Sequence, residues 1–477
     1  MVLANGAPSP LTLAVTQDGR QLAGEIYREI EFLPVISPHT HVPVGLFADE
    51  ESRLGSPADV FVTSDHNVLR TLYSAGVPLE ACGLQRLQGD VVVPDARAIW
   101  RVFTQHLHLF WQSPTLLWIK DALWHDLEIH VPLTMQSGDE IFDELLAKLA
   151  SSEFSPRGIF TKFLIETLST TDDGVADLSV HESIRNGDWA GSIRPTFRPD
   201  DLGQIQRPEW RSALLKLGEL TSGRVDTYSG FLASLAERRS QFIHAGATAA
   251  DHGIESPYAE RLSEHEAGII FQRAFAGRAD EGDARRFDAH LLMVHAGMSC
   301  DDGLVMQLHA GALRDHNGPL ASDFGPAIGG DIPVAVDWTR GLASLLSSFG
   351  NSSSLTLVLF TLDESTYSRE LAPLAGHYPA LRLGSPWWFH DSPQGMRRYL
   401  DCTVEVAGLH NLTGFVDDAR NLLTLAARHR LWRRAISGWL GDQVSFGTTT
   451  IDEAVHVARL LSYDLARDSY KLPVGAS

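Results

Sequence analysis

Short apolar blocks recur along most of this chain, each ending on polar or charged side chains. Between them lie longer stretches with apolar residues at three- and four-residue spacing. Short buried blocks alternating with amphipathic helices are the pattern of parallel β/α architecture. Eight blocks follow in order: FLPVISPHTH ending at His41, FLIETLSTTDD at Asp173, SIRPTFRPD at Asp200 and GATAADHG at Gly253. LVMQLHAG then ends at Gly311, LTLVLFTLDE at Glu364, LRLGSPWWFHD at Asp391 and LTGFVDDAR at Arg420. The expected fold is α/β, a (β/α)8 TIM-type barrel. In such a barrel the C-terminal ends of all strands share one rim, and the active site sits there.

Over a hundred residues separate the first block from the second. Within them DARAIWRVFTQHLHLFWQ and GDEIFDELLAKLASSEF carry helical periodicity. The reading is a helical insertion over 44–160 in one barrel domain spanning 1–477, with a C-terminal helical segment over 421–477. Residues 204–240 read as further helix, and IDEAVHVARLLSYDLARDSYKL as a closing helix.

Composition narrows the function classes. An apolar share of 44% with 21% charged residues is a globular balance and excludes wholesale disorder. A net charge of -21 argues against nucleic acid and anionic membranes as partners. An anionic substrate then needs a local arginine cluster, which suffices because salt damps the general field within about 8 Å. Cys82, Cys300 and Cys402 form neither a disulfide framework nor a zinc knuckle and suit a reducing cytoplasm. The N-terminal run MVLANGAPSPLTLAV lacks the features of a signal peptide, and no run reaches the roughly 18 apolar residues of a membrane span. The expectation is a cytoplasmic protein, homo-oligomeric, acting on a small molecule.

The sharpest chemical signal is His39-Thr40-His41. Residues i and i+2 of a strand share a face, so two imidazoles can converge on one cation. Among 20 histidines an HxH also arises by chance; its place at the end of the first strand gives it weight. Asp418 ends the eighth block, and strands one and eight adjoin in a closed barrel, so a carboxylate there completes a His-His-Asp set. Its plainer alternative is a solvated strand end or helix cap. His309 and His252 end the fifth and fourth blocks, as ligand, proton donor, orienting group or structural histidine. Arg198, Arg314 and Arg420 lie at strand ends and could hold a carboxylate through paired N–H donors, or could neutralise nearby aspartates. Trp387 and Trp388 could stack on a sugar or sit in the core.

SDHNVLRTLYSAGV, TTDD, PTFRPD, ATAADHG, MSCDDGLVMQLHAGALRDHN, the long run from Thr361 to Arg398 and GFVDDAR together resemble the uronate (glucuronate) isomerase family of the amidohydrolase superfamily. The resemblance runs from about Leu33 to beyond Arg434. It implies a barrel holding one divalent metal ion, usually Zn2+, at His39, His41 and Asp418. It also implies aldose–ketose isomerisation of D-glucuronate or D-galacturonate, with Asp418 and His309 at the chemistry. Arg198, Arg314, Arg420, His66, Asn67, Trp387 and Trp388 would lie on the substrate side. The chain departs at Asn67, where the family reads an acid/base tyrosine, at Val42, Pro43 and Val44 after the histidines, and at Val416 before the paired aspartates. These departures leave a second expectation, hydrolase or lyase chemistry on a less polar, aromatic substrate.

Overall fold

A computed structural model of the chain describes residues 13–89 and 94–473. The N-terminal run read above lies almost wholly outside those residues.

Seven of the eight blocks form parallel, hydrogen-bonded strands. Val35–Ser37 pairs with Ile165–Ser169, with Ile36 opposite Thr167. Ile165–Ser169 pairs in turn with Ser192–Arg194. The second ladder then breaks and resumes as Asp172–Asp173 beside Phe197–Arg198; Pro195, lacking an N–H, stands in the gap. Phe197 reaches Ala250 of Ala249–Ile254, which pairs residue by residue with Val305–Ala310. That strand pairs with Leu357–Thr361, and Leu357–Thr361 with Leu381–Leu383. Strands five and six are buried at every position, as two-sided packing of a parallel sheet requires.

The eighth block closes the ring without becoming a regular strand. It makes isolated bridges, Leu383 to Leu412 and Thr40 to Ala419. The Thr413 amide donates to the Leu383 carbonyl at 2.9 Å and the His41 amide to the Ala419 carbonyl at 2.8 Å. Between these points the backbone turns left-handed at Gly414 (φ 69°) and Asp418 (φ 46°), which interrupts a ladder. The Ser385 hydroxyl substitutes for one ladder rung, accepting from the Val416 amide at 2.9 Å and donating to its carbonyl at 2.8 Å.

The rim opposite the strand C-termini is sealed by the end of the chain. Tyr463, Ala466 and Tyr470 pack with Ile36, Ala249, Val305 and Val358. The Tyr470 hydroxyl donates to Gln307 Oε1 at 2.7 Å, and Lys471 Nζ to the Gly303 carbonyl at 2.7 Å. Chemistry is thereby confined to the other rim.

Between strands one and two the described chain forms the helices His66–Ser74, Ala96–Gln105, Pro114–Asp121, Gly138–Leu149 and Pro156–Lys162. Asp65, Asp95, Ser113 and Ser155 cap four of them by accepting N–H groups that the helix leaves unpaired. Pro114 and Pro156 occupy first positions where no N–H is needed. Trp100, Phe103, Phe110 and Phe142 pack these helices into a core that continues to Val35, Ile165, Leu168 and Leu422 of the barrel side. No helix among the described residues is long and apolar enough to cross a membrane.

The helix Leu422–Ser445 joins the parts. Arg430 donates to Asp126 through Nη1 (2.9 Å) and Nη2 (2.6 Å) and to Asp121 through Nε (2.7 Å), while Arg434 reaches Asp121 at 2.9 Å. Arg433 grips the carbonyls of Glu31, Leu33 and Pro34, fixing the approach to the first strand. Asp442 accepts from the Val15 and Thr16 amides, the Thr16 hydroxyl and Arg397. Removing Arg430 leaves the buried Asp126 carboxylate unpaired and Asp121 with Arg434 alone. Arg430→Ala is therefore expected to lower the unfolding free energy by about 3 kcal/mol, read from the denaturant midpoint.

Burial pushes the Asp442 carboxyl up, but its donors outweigh that and hold its pKa below the ordinary 3.8. Its contribution is thus fully present above the unfolded-state value and lost as pH falls through the depressed folded value. Asp442→Asn should cost about 2 kcal/mol at pH 7. The gap between variant and parent should narrow as pH drops below about 4, measured by thermal unfolding across that range.

Candidate metal centre and active site

The first strand ends with its chain held on both sides. The Thr40 amide donates to Ser169 and the His41 amide to Ala419, so His39 and His41 leave one edge at two-residue spacing. Asp418 comes to meet them from the eighth segment. Its Oδ1 lies 3.2 Å from His41 Nε2 and 3.5 Å from His39 Nε2. The sequence-predicted trio therefore converges. His39 and Asp418 are buried and His41 half-buried.

Asp418 sits in the left-handed region, rare and strained for an aspartate. Trp387 Nε1 donates to its Oδ2 at 2.8 Å. Its Oδ1 is buried and accepts no hydrogen bond. Burial works against its charge, but the neighbouring His39 and His41 outweigh it and hold the carboxyl well below the usual range.

A second grouping brings His39, Asp251 and His309 together. His309 Nδ1 lies 2.5 Å from Asp251 Oδ1, and Arg198 Nη1 donates to Asp251 Oδ2 at 3.0 Å. Arg198 Nε donates to Asp200 Oδ2 at 2.8 Å. Against the cost of burial, His309 and Arg198 hold Asp251 ionised, so Nδ1 is the donor. Burial outweighs that attraction at His309 and lowers its pKa. The ring is neutral, stacked between Phe360 (4.2 Å) and His39 (4.6 Å), and its buried Nε2 has no partner. Both Asp251 oxygens are taken, so this grouping is an orienting chain for His309. The donors with free lone pairs are His39, His41, Asp418 Oδ1 and His309 Nε2. Three or four N/O donors in a buried recess suit a divalent cation.

Beside them opens a narrow recess. His66, Asn67, Trp388, Asp418, Arg420 and Arg428 are among its lining. Trp388, another left-handed residue (φ 47°), lies under the Arg314 guanidinium at 4.9 Å and beside His66 at 5.4 Å.

The three predicted arginines divide. Arg198 is spent on Asp200 and Asp251, and Arg314 on Asp331 at 2.8 Å. Arg420 lines the recess, its Nε is buried without a partner, and among the described residues no carboxylate lies within ion-pair reach of it. Trp387 is 4% exposed and touches Asp418 and His309, so of the tryptophan pair it is Trp388 that lines the recess, together with Trp118. His252 packs on His295 at 4.7 Å, away from the trio. Asp251, its neighbour, went unread. Alternation along the strand places one of the two inside, and the sequence pattern does not say which.

A (β/α)8 enzyme of the amidohydrolase type is the class this fold and site define. The family model described as glucuronate isomerase matches residues 16–470. A uronate isomerase of Nostoc punctiforme is 44% identical over 453 residues, covering 95% of this chain and 96% of that protein. One from Rhizorhabdus wittichii is 44% identical over 456 residues, at 95% and 96% coverage. The crystal structure of glucuronate isomerase from Caulobacter crescentus superposes with a TM-score of 0.95 at 36% identity, covering 98% of this chain and 99% of that one. The uronate isomerase structure from Thermotoga maritima gives 0.88 at 29% identity, with 94% and 97% covered. This chain belongs to the glucuronate isomerase family.

Elemental analysis tests the donor set. The parent should carry one divalent ion per chain, while His39→Ala and Asp418→Ala should each lose it with the fold intact by circular dichroism. Full metal content in both variants would remove this assignment.

Proposed function

We propose that this chain interconverts D-glucuronate and D-galacturonate with their 2-keto isomers. One divalent cation, zinc as first choice for a His-His-Asp set, is held by His39, His41 and Asp418. The observation that carries the reading is the juxtaposition of that trio with Arg420, the one predicted arginine left without a protein carboxylate. Its guanidinium is the anchor for the substrate carboxylate in an otherwise acidic protein.

Isomerisation of the open-chain aldehyde moves one proton from C2 to C1 and one from O2 to O1. A divalent cation held by His39, His41 and Asp418 would supply Lewis-acid polarisation of the substrate oxygens. Asp418, ionised and at hand, takes the C2 proton and returns it to C1. His309, neutral with Nε2 unpartnered and Nδ1–H fixed by Asp251, passes the hydroxyl proton between O2 and O1. Asn67 stands at the recess with an amide that exchanges no proton at neutral pH, so it serves as a hydrogen-bonding wall with His66 and Trp388. The alternative, hydrolase or lyase chemistry on a less polar substrate, would be favoured by an arginine set fully neutralised by the protein, and Arg420 is not so neutralised. The three free cysteines fit a reducing cytoplasm.

Metal-loaded protein incubated with glucuronate and galacturonate should yield the ketoses, and His39→Ala should not. Arg420→Met should raise KM for either uronate by roughly 30-fold, the worth of a charge-assisted contact of about 2 kcal/mol. Turnover by the parent no better than by His39→Ala would remove the reading.

A further inference from the structure

The geometry points to Trp387 as a positioning residue that fixes which oxygen of Asp418 faces the cation. The inference rests on the metal reading above and goes beyond it, because it concerns how the ligand is held.

Trp387 does not behave as a substrate wall. It is 4% exposed, and the recess is walled by its neighbour Trp388. Nor does it behave as simple packing. A buried indole N–H needs an acceptor, and this one donates to Asp418 Oδ2 at 2.8 Å. Its ring edge meets His309 at 4.8 Å, and its face lies tilted on Trp388 at 4.8 Å. The indole is thus clamped between two other residues of the site before it reaches the carboxylate.

The consequence follows from carboxylate geometry. The two oxygens of Asp418 exchange places by rotation about Cβ–Cγ, and a free carboxylate can swing both toward a cation. With Oδ2 held by the indole, that rotation is stopped and Oδ1 alone is presented to the histidine nitrogens, 3.2 and 3.5 Å away. The unpartnered state of Oδ1 is the other half of the arrangement. In a site so packed it persists because the backbone is pinned at φ 46° and the second oxygen is tied. Asp418 is therefore a ligand through one oxygen only. Outer-shell partners of this kind typically set metal affinity by about 10–100-fold.

The test uses Co2+ as probe, since its visible spectrum reports coordination number and its affinity is measurable by chelator competition. Trp387→Phe keeps an aromatic ring and removes the donor. Replacing Trp387 with benzothienylalanine keeps the bicyclic shape and removes only the N–H, which separates the hydrogen bond from packing. Both should bind Co2+ about 10–100-fold more weakly than the parent, with an altered visible band and with metal-free unfolding midpoints close together for parent and isostere. An isostere that binds Co2+ with the parent's affinity and spectrum overturns the inference while leaving the metal site standing. A parent that binds no Co2+ overturns the metal reading, and this inference with it. If the phenylalanine variant misfolds, the isostere alone decides.

Discussion

A buried carboxylate has to be compensated, and the way Asp418 is compensated governs the architecture around it. Taking a charge out of water costs several kcal/mol unless hydrogen bonds and opposite charge replace the lost solvation. Here the replacements come from three places at once: two imidazoles of the first strand, an indole from the seventh block, and an oxygen left open for a cation. Bringing them together requires the eighth segment to bend away from strand geometry at the aspartate itself. That is why the barrel closes through single bridges and a serine hydroxyl. The irregular seam follows from the chemistry and leaves the fold intact.

Charge elsewhere on the rim is matched with similar economy. Asp200, Arg198, Asp251 and His309 form a continuous chain of contacts in which each acid is answered. Its product is one histidine of defined tautomer, a proton on Nδ1 and a lone pair on Nε2. Asp417, next to the metal-side carboxylate, is absorbed differently: the Ser37 hydroxyl donates to it at 2.6 Å, and His429 Nε2 lies 3.1 Å away. Two adjacent aspartates thus have opposite fates, one tied into the wall and one kept for chemistry. In a chain of net charge -21, a single uncommitted guanidinium at the recess is enough to select an anion at short range.

Much of this was legible in the sequence, and the boundary is physical. Periodicity located the blocks because most of their strand positions are buried, completely so in the fifth and sixth, and so read as apolar runs. The spacing of His39 and His41 named a shared face, and barrel closure supplied Asp418. Trp387 and Asp251 were not legible in the same way. The role of Trp387 depends on which way one of two consecutive tryptophans turns, and that is set by the left-handed φ of Trp388. The partnership of Asp251 with His309 depends on cross-strand register, which apolar patterning leaves open by one residue. Arg198 and Arg314 were legible as arginines at the rim, and neutralising a nearby aspartate was an open alternative that Asp200 fulfils for Arg198; their distant partners were not legible. Asp251 and Asp331, the acids that take them, lie 53 and 17 residues away.

The centre is built from two sources, and this bears on how its chemistry can drift. Barrel strands and their seam supply the cation donors and the histidine chain. The recess lining is supplied from both: Trp388 and Arg420 come from the seventh and eighth blocks, while His66 and Asn67 begin a helix capped by Asp65, and Arg428 comes from the long C-terminal helix. Asn421 Nδ2 donates to the Val60 carbonyl at 2.7 Å, joining those two contributors beside the recess. On the proposed reading, a change at Asn67 alters the wall that a sugar hydroxyl would meet without touching His39, His41 or Asp418. Changes at Ser37, Trp387 or Asp251 act on the barrel side and disturb the donors first. The departures read from the sequence include one of each kind: Asn67 on the wall, and Val416 in the seam. Val416 is accommodated because its backbone groups, rather than its side chain, make the bonds to Ser385.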